Sequence, residues 1–387
     1  MPTPTPHLPH RRQLLIAVLG APLWGDGAHA FGQERTTPAH PDLRKRPLQF
    51  PRDLGSHPET AIEWWYVTGE LQAKGRTYGF QLTFFRSRVP NTQNMHSAFA
   101  ARQLIFAHAA VTDVAGQRLI HDQRIARSSG KATVDLASAS ETDTDVRLHN
   151  WSLARREGQY QAQIDGADFA FSLALTETQP LLLQGDAGWS RKGPQPAQAS
   201  FYYSLPHLSV SGELTLAGQK QAVTGRAWLD HEWSQSLLDA RAVGWDWIGM
   251  NLSDGSALTA FRLRDKDGGM VWAGGSWRDK DANQVVVFAP QDLAFRTLRT
   301  WRSPASGATY PVLLGIDIRY PSASGTSMAG PERSLVVRAV IDNQELDSRS
   351  TTGAIYWEGL SELLDANQQV IGRGYLELTG YASALRL

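Results

Sequence analysis

In 387 residues, 38 Lys and Arg balance 38 Asp and Glu, so no net field exists to recruit nucleic acid or an anionic membrane surface. The absence of cysteine excludes disulfides, thiolate metal sites, cysteine nucleophiles and a cysteine-linked lipid anchor. An apolar fraction of 42% with 20% charged residues, 34 glycines and 13 tryptophans describes a folded chain rich in the residues of β-structure, not a disordered one.

The N-terminus reads as an address. "HRRQLLIAVLGAPLWGDGAHA" carries the pair Arg11 and Arg12, an apolar run from Leu14 to Trp24 and the small-x-small site Ala28-His29-Ala30. The run is too short to span a bilayer, and the adjacent arginines favour a twin-arginine export signal over a plain Sec signal. Residues 1–30 are therefore expected to be a signal peptide. The mature chain is expected to begin near Phe31, in the periplasm or outside the cell, without a membrane span. Residues 31–47 lack periodicity and are expected to form an extended arm.

From Ile62 onward alternation and tight turns dominate. "EWWYVTGELQAKGRTYGFQLTFFR" predicts a hairpin around Lys74-Gly75, and "QLIFAHAAVTDVAGQRLIHD" another around Ala115-Gly116. "DVRLHNWSLARREGQYQAQIDGADFAFSLALT" predicts three strands separated at Glu157-Gly158 and Asp165-Gly166. A long hairpin follows in "LSVSGELTLAGQKQAVTGRAWLDHEW". The second half repeats the pattern, with three strands joined at Asp254-Gly255 and Asp267-Gly268, then strands at "YPVLLGIDIRYP", "RSLVVRAVI", "GAIYWEGLSEL" and "GRGYLELTGY". No amphipathic helix longer than a couple of turns is visible, so the fold class is all-β, in antiparallel barrels or sandwiches.

An internal echo suggests two related barrels. Trp65 precedes the turn Gly75 by ten residues and Trp245 precedes Gly255 by ten, and each second strand carries a Phe-Arg pair, Phe85-Arg86 and Phe261-Arg262. The expected organisation is one barrel over residues 48–236 and another over 237–387.

"GRAWLDHEWSQ" concentrates proton-transfer side chains. On a strand, Asp230 and Glu232 point one way with Trp228, while His231 and Trp233 point the other with Leu229, so the three cannot act as one triad. One face is expected to be structural and the other to look into a cavity, and alternation alone does not say which. Two carboxylates at i and i+2 repel, and burial raises the pKa of one of them, which makes a proton donor at neutral pH. The alternative is that they hydrogen-bond backbone or arginines where two barrels meet. His231 is the last histidine in the chain, and "HEWSQ" lacks the second His of a zinc-protease helix, so a metal would need long-range assembly and none is expected. No Gly-x-Ser-x-Gly elbow and no phosphate loop occurs, so serine-hydrolase chemistry is disfavoured and no cofactor is expected. The aromatic clusters beside acids, among them Glu63, Trp65, Tyr66, Tyr202, Tyr203, Trp233, Trp245, Trp247, Trp357 and Glu358, are either core or the lining of an apolar ligand site that would also stabilise a carbocation.

The segments "IEWWYVTGEL", "LQGDAGWSRKG", "GRAWLDHEW", "GWDWIGMNLSDGSALTAFRLRDKDG" and "GRGYLELTGY" resemble the AttH/carotenoid 1,2-hydratase family of lipocalin-like proteins, also described as predicted secreted hydrolases, over about residues 48–384. The resemblance implies two lipocalin-like antiparallel barrels in tandem, with a ligand cavity in or between them. The hydratase members of that family add water across the terminal double bond of acyclic carotenoids without a cofactor, by protonation and water capture. Related fungal members catalyse pericyclic cyclisations and others only bind lipid, so the resemblance implies the fold more than any single activity. The family's Asp-His-x-Trp element falls on Asp230, His231 and Trp233, and its Trp-x-Trp element on Trp245 and Trp247. The downstream Tyr/Asp pair of hydratase-type members has no counterpart between Ser256 and Leu263.

The leading expectation is thus an exported protein that binds a hydrophobic, lipid- or isoprenoid-like molecule inside roomy barrels. A second is a hydro-lyase or hydrolase using Asp230 or Glu232 as proton donor, with His231 orienting water. A third is an accessory protein of an export system.

Overall fold

The computed structural model describes residues 43–385 except 132–134, 236–237, 283 and 321–331. The segment read as a signal peptide, residues 1–30, and residues 31–42 of the expected arm lie outside the described residues. Residues 43–47 run irregularly along the first sheet. There Leu43 packs on its core and the Arg46 guanidinium meets Asp53 at 2.6 Å.

The described residues form two antiparallel sheets, of 13 and 10 strands, joined by short 3-10 turns and loops. No helix among them is long and apolar enough to cross a membrane. The first sheet runs Arg118–Ser128, Gln103–Asp113, Arg76–Arg88, Ile62–Ala73, Gln219–Ser234, Ala199–Leu216 and Phe169–Thr176, and continues through shorter strands to Ala137–Ala139. Its last strands touch Arg118–Ser128, so it is a nearly closed barrel. The sequence dictates this locally. "FAFSLALT" buries Phe169, Phe171, Leu173 and Leu175 and turns the residues between them outward. Lys74-Gly75 and Glu157-Gly158 put both residues of each two-residue turn at positive φ, the twist a tight hairpin needs. The expected three strands after Asp145 are four, because His149, at φ 54, and Asn150 fold Asp145–Leu148 back onto Trp151–Arg156.

The second sheet runs Val285–Phe288, Met270–Arg278, Ala257–Arg264, Gly244–Leu252, Val370–Leu378, Ile355–Leu364, Glu332–Ala339, Thr309–Arg319 and Leu293–Arg302. All nine contribute to one core, from Ile248 and Leu258 through Val312 and Leu314 to Trp357 and Leu376, so the sheet curls around it. Leu293–Arg302 escaped sequence reading because it faces solvent along nearly all its length and shows no apolar alternation.

Roomy barrel interiors are not what the chain builds. The first is packed by its own side chains, including Trp65, Phe80, Trp151, Tyr160 and Tyr203, each at most 1% exposed. The open space lies instead where the outer faces of the two sheets meet. A third apolar cluster from both sheets, Tyr66, Trp228, Trp247, Phe261, Leu360 and Tyr375 among them, marks that junction. Polar contacts pin it: the backbone N–H of His207, on a bulge of the strand Ala199–Leu216, donates to Asn251 Oδ1 at 2.8 Å. Glu70 and Arg373 pair across the junction at 3.0 Å.

Candidate functional site between the sheets

The strand Gln219–Ser234 divides its side chains as alternation requires. Leu229, His231 and Trp233 enter the first barrel, and Trp228, Asp230 and Glu232 face the second sheet.

Inside the barrel His231 stacks on Trp65, with ring centroids 4.6 Å apart, and His57 stacks on Trp233 at 3.8 Å. Glu63 is the hub of this interior. Its Oε1 lies 2.9 Å from His231 Nε2 and 2.8 Å from His57 Nδ1, and its Oε2 accepts from Arg86 Nε at 2.7 Å. Burial pushes the Glu63 carboxyl up, but Arg86 and the two histidines outweigh it and hold the group well below its usual range. Burial pushes His57 down, yet a carboxylate at each ring nitrogen, Asp53 Oδ1 at 3.0 Å and Glu63, outweighs it and raises the group. His231 has only Glu63 and the Tyr203 hydroxyl as partners, and burial drives it down to about 4. His57, Glu63 and His231 bring three ligand-type atoms within 4.8 Å of one another, the spacing of a metal centre. However, a carboxylate already meets each ring nitrogen of His57, and Glu63 is already matched by Arg86. These donors suit an ion-pair network better than a cation.

The opposite face opens onto a cavity of about 310 Å³ between the sheets. Trp64, Phe85 and Phe106 of the first sheet and Trp245, Trp247 and Phe261 of the second form its apolar wall. Asp230 receives hydrogen bonds from Trp228 Nε1 at 2.7 Å, Ser204 Oγ at 2.5 Å and the Tyr202 hydroxyl at 2.8 Å. Burial outweighs all three and, with Glu232 two residues on, moves Asp230 up to about 7. Glu232 meets Lys192 Nζ at 2.9 Å and the Ser200 hydroxyl. That ammonium also lies over the rings of Tyr202 and Phe261, at 4.6 and 4.3 Å.

The second sheet brings its own acids. Glu358, buried, and Glu377, half-buried, sit directly opposite each other on neighbouring strands and face the cavity. Burial first, and then the Glu377 charge, push Glu358 well above the carboxylate range. Burial, opposed by a Trp245 hydrogen bond and helped by Asp230 and Glu232, lifts Glu377 to about 7. At one end His108 Nδ1 lies 2.8 Å from the Tyr356 hydroxyl and Nε2 lies 2.8 Å from Thr351 Oγ1, with burial holding the ring neutral, down to about 3.

Of the residues singled out from sequence, Tyr66, Tyr202, Asp230, Glu232, Trp245, Trp247 and Glu358 meet at this cavity. Glu63, Trp65, Tyr203, His231 and Trp233 stand inside the first barrel, behind the strand that separates them from it. Trp357 is in the second core, its indole N–H donating to the Asp342 carbonyl at 2.7 Å. Trp65 and Trp245 of the internal echo thus face a core and a cavity respectively. Lys192 and Glu377 were not singled out. Lys192 follows a short strand in a loop-rich segment, and Glu377 sits between two leucines like any outward residue of an amphipathic strand, so neither carries a sequence signal.

A family model described as AttH-like matches residues 41–381. Among solved structures, an AttH from Nitrosomonas europaea is 44% identical over 88% of this chain and 99% of its own, with a TM-score of 0.78. A kievitone hydratase from Nectria haematococca shares 16% identity over 87% of this chain and 94% of its own, with a TM-score of 0.65, which is a likeness of fold. No curated protein matches the chain.

Proposed function

The chain belongs to the AttH-like family, and on that footing we propose that it binds a lipid- or isoprenoid-like molecule between its sheets and adds or removes water across a double bond there, with Asp230 as proton donor. The observation that carries this reading is the meeting of an apolar aromatic wall with an acid whose pKa lies near 7. Such an acid is still substantially protonated at neutral pH and is strong enough to give its proton up.

In the forward direction the Asp230 proton bonds to one alkene carbon and leaves a cation on the other. The faces of Trp245 and Trp247 suit that charge. Water bonds to the cationic carbon and its surplus proton returns to the Asp230 carboxylate, so the net change is alkene plus water to alcohol. Each 100 Å² of apolar ligand surface withdrawn from water contributes about 2.5 kcal/mol, against which stand the costs of immobilisation. The hydratase named among the structural neighbours is consistent with this chemistry, and Arg11, Arg12 and the apolar run from Leu14 support export as the route to its place of action.

The test is to incubate the full chain with an acyclic isoprenoid or a prenylated phenol in ¹⁸O-labelled water, following tryptophan quenching and label in the product. The wild type should quench and incorporate label, and Asp230→Asn should quench without incorporating. Label incorporated equally by the variant removes Asp230 from the role. If the wild type neither quenches nor turns over, the whole reading fails.

A further inference from the structure

The cavity opens at one side of the first sheet. Ile125, on Arg118–Ser128, lines the cavity and is still 41% exposed, and Leu104 lines it from the neighbouring strand. Arg127 stands directly opposite Leu104 in that strand pair. Its guanidinium covers the ring of Phe99 at 5.2 Å, and its Nη1 donates to the Ala98 carbonyl at 3.4 Å. The loop of residues 89–101 is thereby seated on the rim of the opening.

Hydrogen bonds fix this loop, yet it presents apolar side chains to water. Gln93 Nε2 donates to the Val89 carbonyl at 2.8 Å and to the Arg102 carbonyl at 2.7 Å, which ties the two stems together, and Arg102 Nη2 donates to the Met95 carbonyl at 3.0 Å. Phe99 is nevertheless 77% exposed and Met95 48%. Residues 89–101 contain no Asp or Glu and are bracketed by Arg88 and Arg102. Asp135 meets Arg127 at 3.7 Å, but among the described residues no carboxylate lies within 4.0 Å of Arg88 or Arg102. Exposed apolar side chains ringed by unmatched guanidinium groups are the composition of a contact with lipid headgroups, where the rings enter the acyl boundary and the cations meet phosphate. A stable protein partner would need about 800 Å² of this surface, more than two side chains supply, whereas a bilayer needs only that they enter it. The whole chain carries no net charge, so the attraction is local to this rim.

We propose that the loop of residues 89–101 docks the protein on an anionic lipid surface, with Phe99 and Met95 inserted among the headgroups and Arg88 and Arg102 against lipid phosphates. The opening at Ile125 and Leu104 then faces the bilayer, so an apolar ligand passes from membrane to cavity without crossing bulk water. The docking holds whether or not Asp230 performs any reaction.

Because the chain has no cysteine, Met95→Cys carries an environment-sensitive fluorophore at one known place. With vesicles of equal parts phosphatidylcholine and phosphatidylglycerol, that label should shift to the blue and be quenched by nitroxide-bearing lipids. The same label at Val285→Cys, on the edge strand of the second sheet, should not respond. Vesicles of phosphatidylcholine alone should bind about tenfold more weakly. In the Met95→Cys background, Phe99→Ser should weaken vesicle binding about tenfold, the scale of one buried phenyl ring, with the melting temperature unchanged. Arg88→Gln should weaken binding to the anionic vesicles about fivefold. Equal responses at 95 and 285, equal affinity for the two vesicle types, or a Phe99→Ser variant that binds like its parent overturns the proposal. A label at 95 that responds to raised protein concentration instead of to vesicles assigns the loop to a second copy of the chain, and one that responds to neither leaves the loop in water. Each of these outcomes overturns the docking and leaves the ligand cavity and its test by isoprenoid binding untouched.

Discussion

Asp230 and His231 are consecutive in the chain and stand on opposite sides of one strand, the first in the cavity between the sheets and the second inside the barrel against Glu63. Their roles separate accordingly. Asp230→Asn should abolish turnover and leave apolar binding near the wild-type value. His231→Ala should instead lower stability by about 2–5 kcal/mol, because it opens a hole between Trp65 and Trp233 and removes a partner of Glu63. Urea unfolding and fluorescence titration of the two variants check this, and the opposite pattern would assign the chemistry to the interior.

The cavity acids set a pH dependence whose sign follows from their direction. The Asp230 carboxyl is at about 7 in the folded chain, against 3.8 for the free group. Between those values the folded state holds a proton that the unfolded state has lost, so stability falls as pH rises from about 4 to 7. Asp230→Asn lacks that proton, and should therefore gain in melting temperature relative to the wild type as pH goes from 4 to 8. Turnover that needs the protonated acid should fall as pH rises above about 7. A melting difference that stays constant with pH would contradict both statements.

Arg86 is 1% exposed and its Nε meets Glu63 at 2.7 Å, whereas Arg373, with 39% of its side chain exposed, reaches Glu70 at 3.0 Å. Removing the first leaves the buried Glu63 carboxylate without the guanidinium that faces it. Arg86→Met should cost about 3–5 kcal/mol, and Arg373→Ala less than about 1 kcal/mol. Chemical denaturation of both variants measures the contrast.

Gly249 is where a side chain does not fit beside the cavity. A Cβ there would stand 2.4 Å from Trp247 Cη2 and 3.1 Å from Trp228 Cδ2. Rigid indoles cannot yield by bending, so Gly249→Ala should displace Trp247, break its bond to Tyr202 and cost about 1–3 kcal/mol. Affinity for the acyclic isoprenoid should weaken along with it, measured by tryptophan quenching.

What could be read in advance follows from how far each signal travels along the chain. Alternation and Gly turns are local, so the hairpins at Lys74-Gly75, Asp254-Gly255 and Asp267-Gly268 were legible, and so was the opposition of Asp230 to His231. Which face of that strand meets the cavity depends on a second sheet more than a hundred residues away in part, and no local pattern encodes it. The same holds for Glu377 and Lys192. Each is unremarked among its neighbours and is brought to the site only by strand register and by the docking of the two sheets. Leu293–Arg302 was lost for the opposite reason, since a strand that faces water on both sides has no apolar stripe to reveal it.

The two large cores share no residue, while the cavity takes its walls from both sheets. The pocket is therefore a property of the seam and exists only while the halves are seated. Any guest it holds acts as a rivet between them, by mass action favouring the joined arrangement. Substitutions at the far end of the seam, around His207 and Asn251, would then be felt as weaker capture without touching the guest at all.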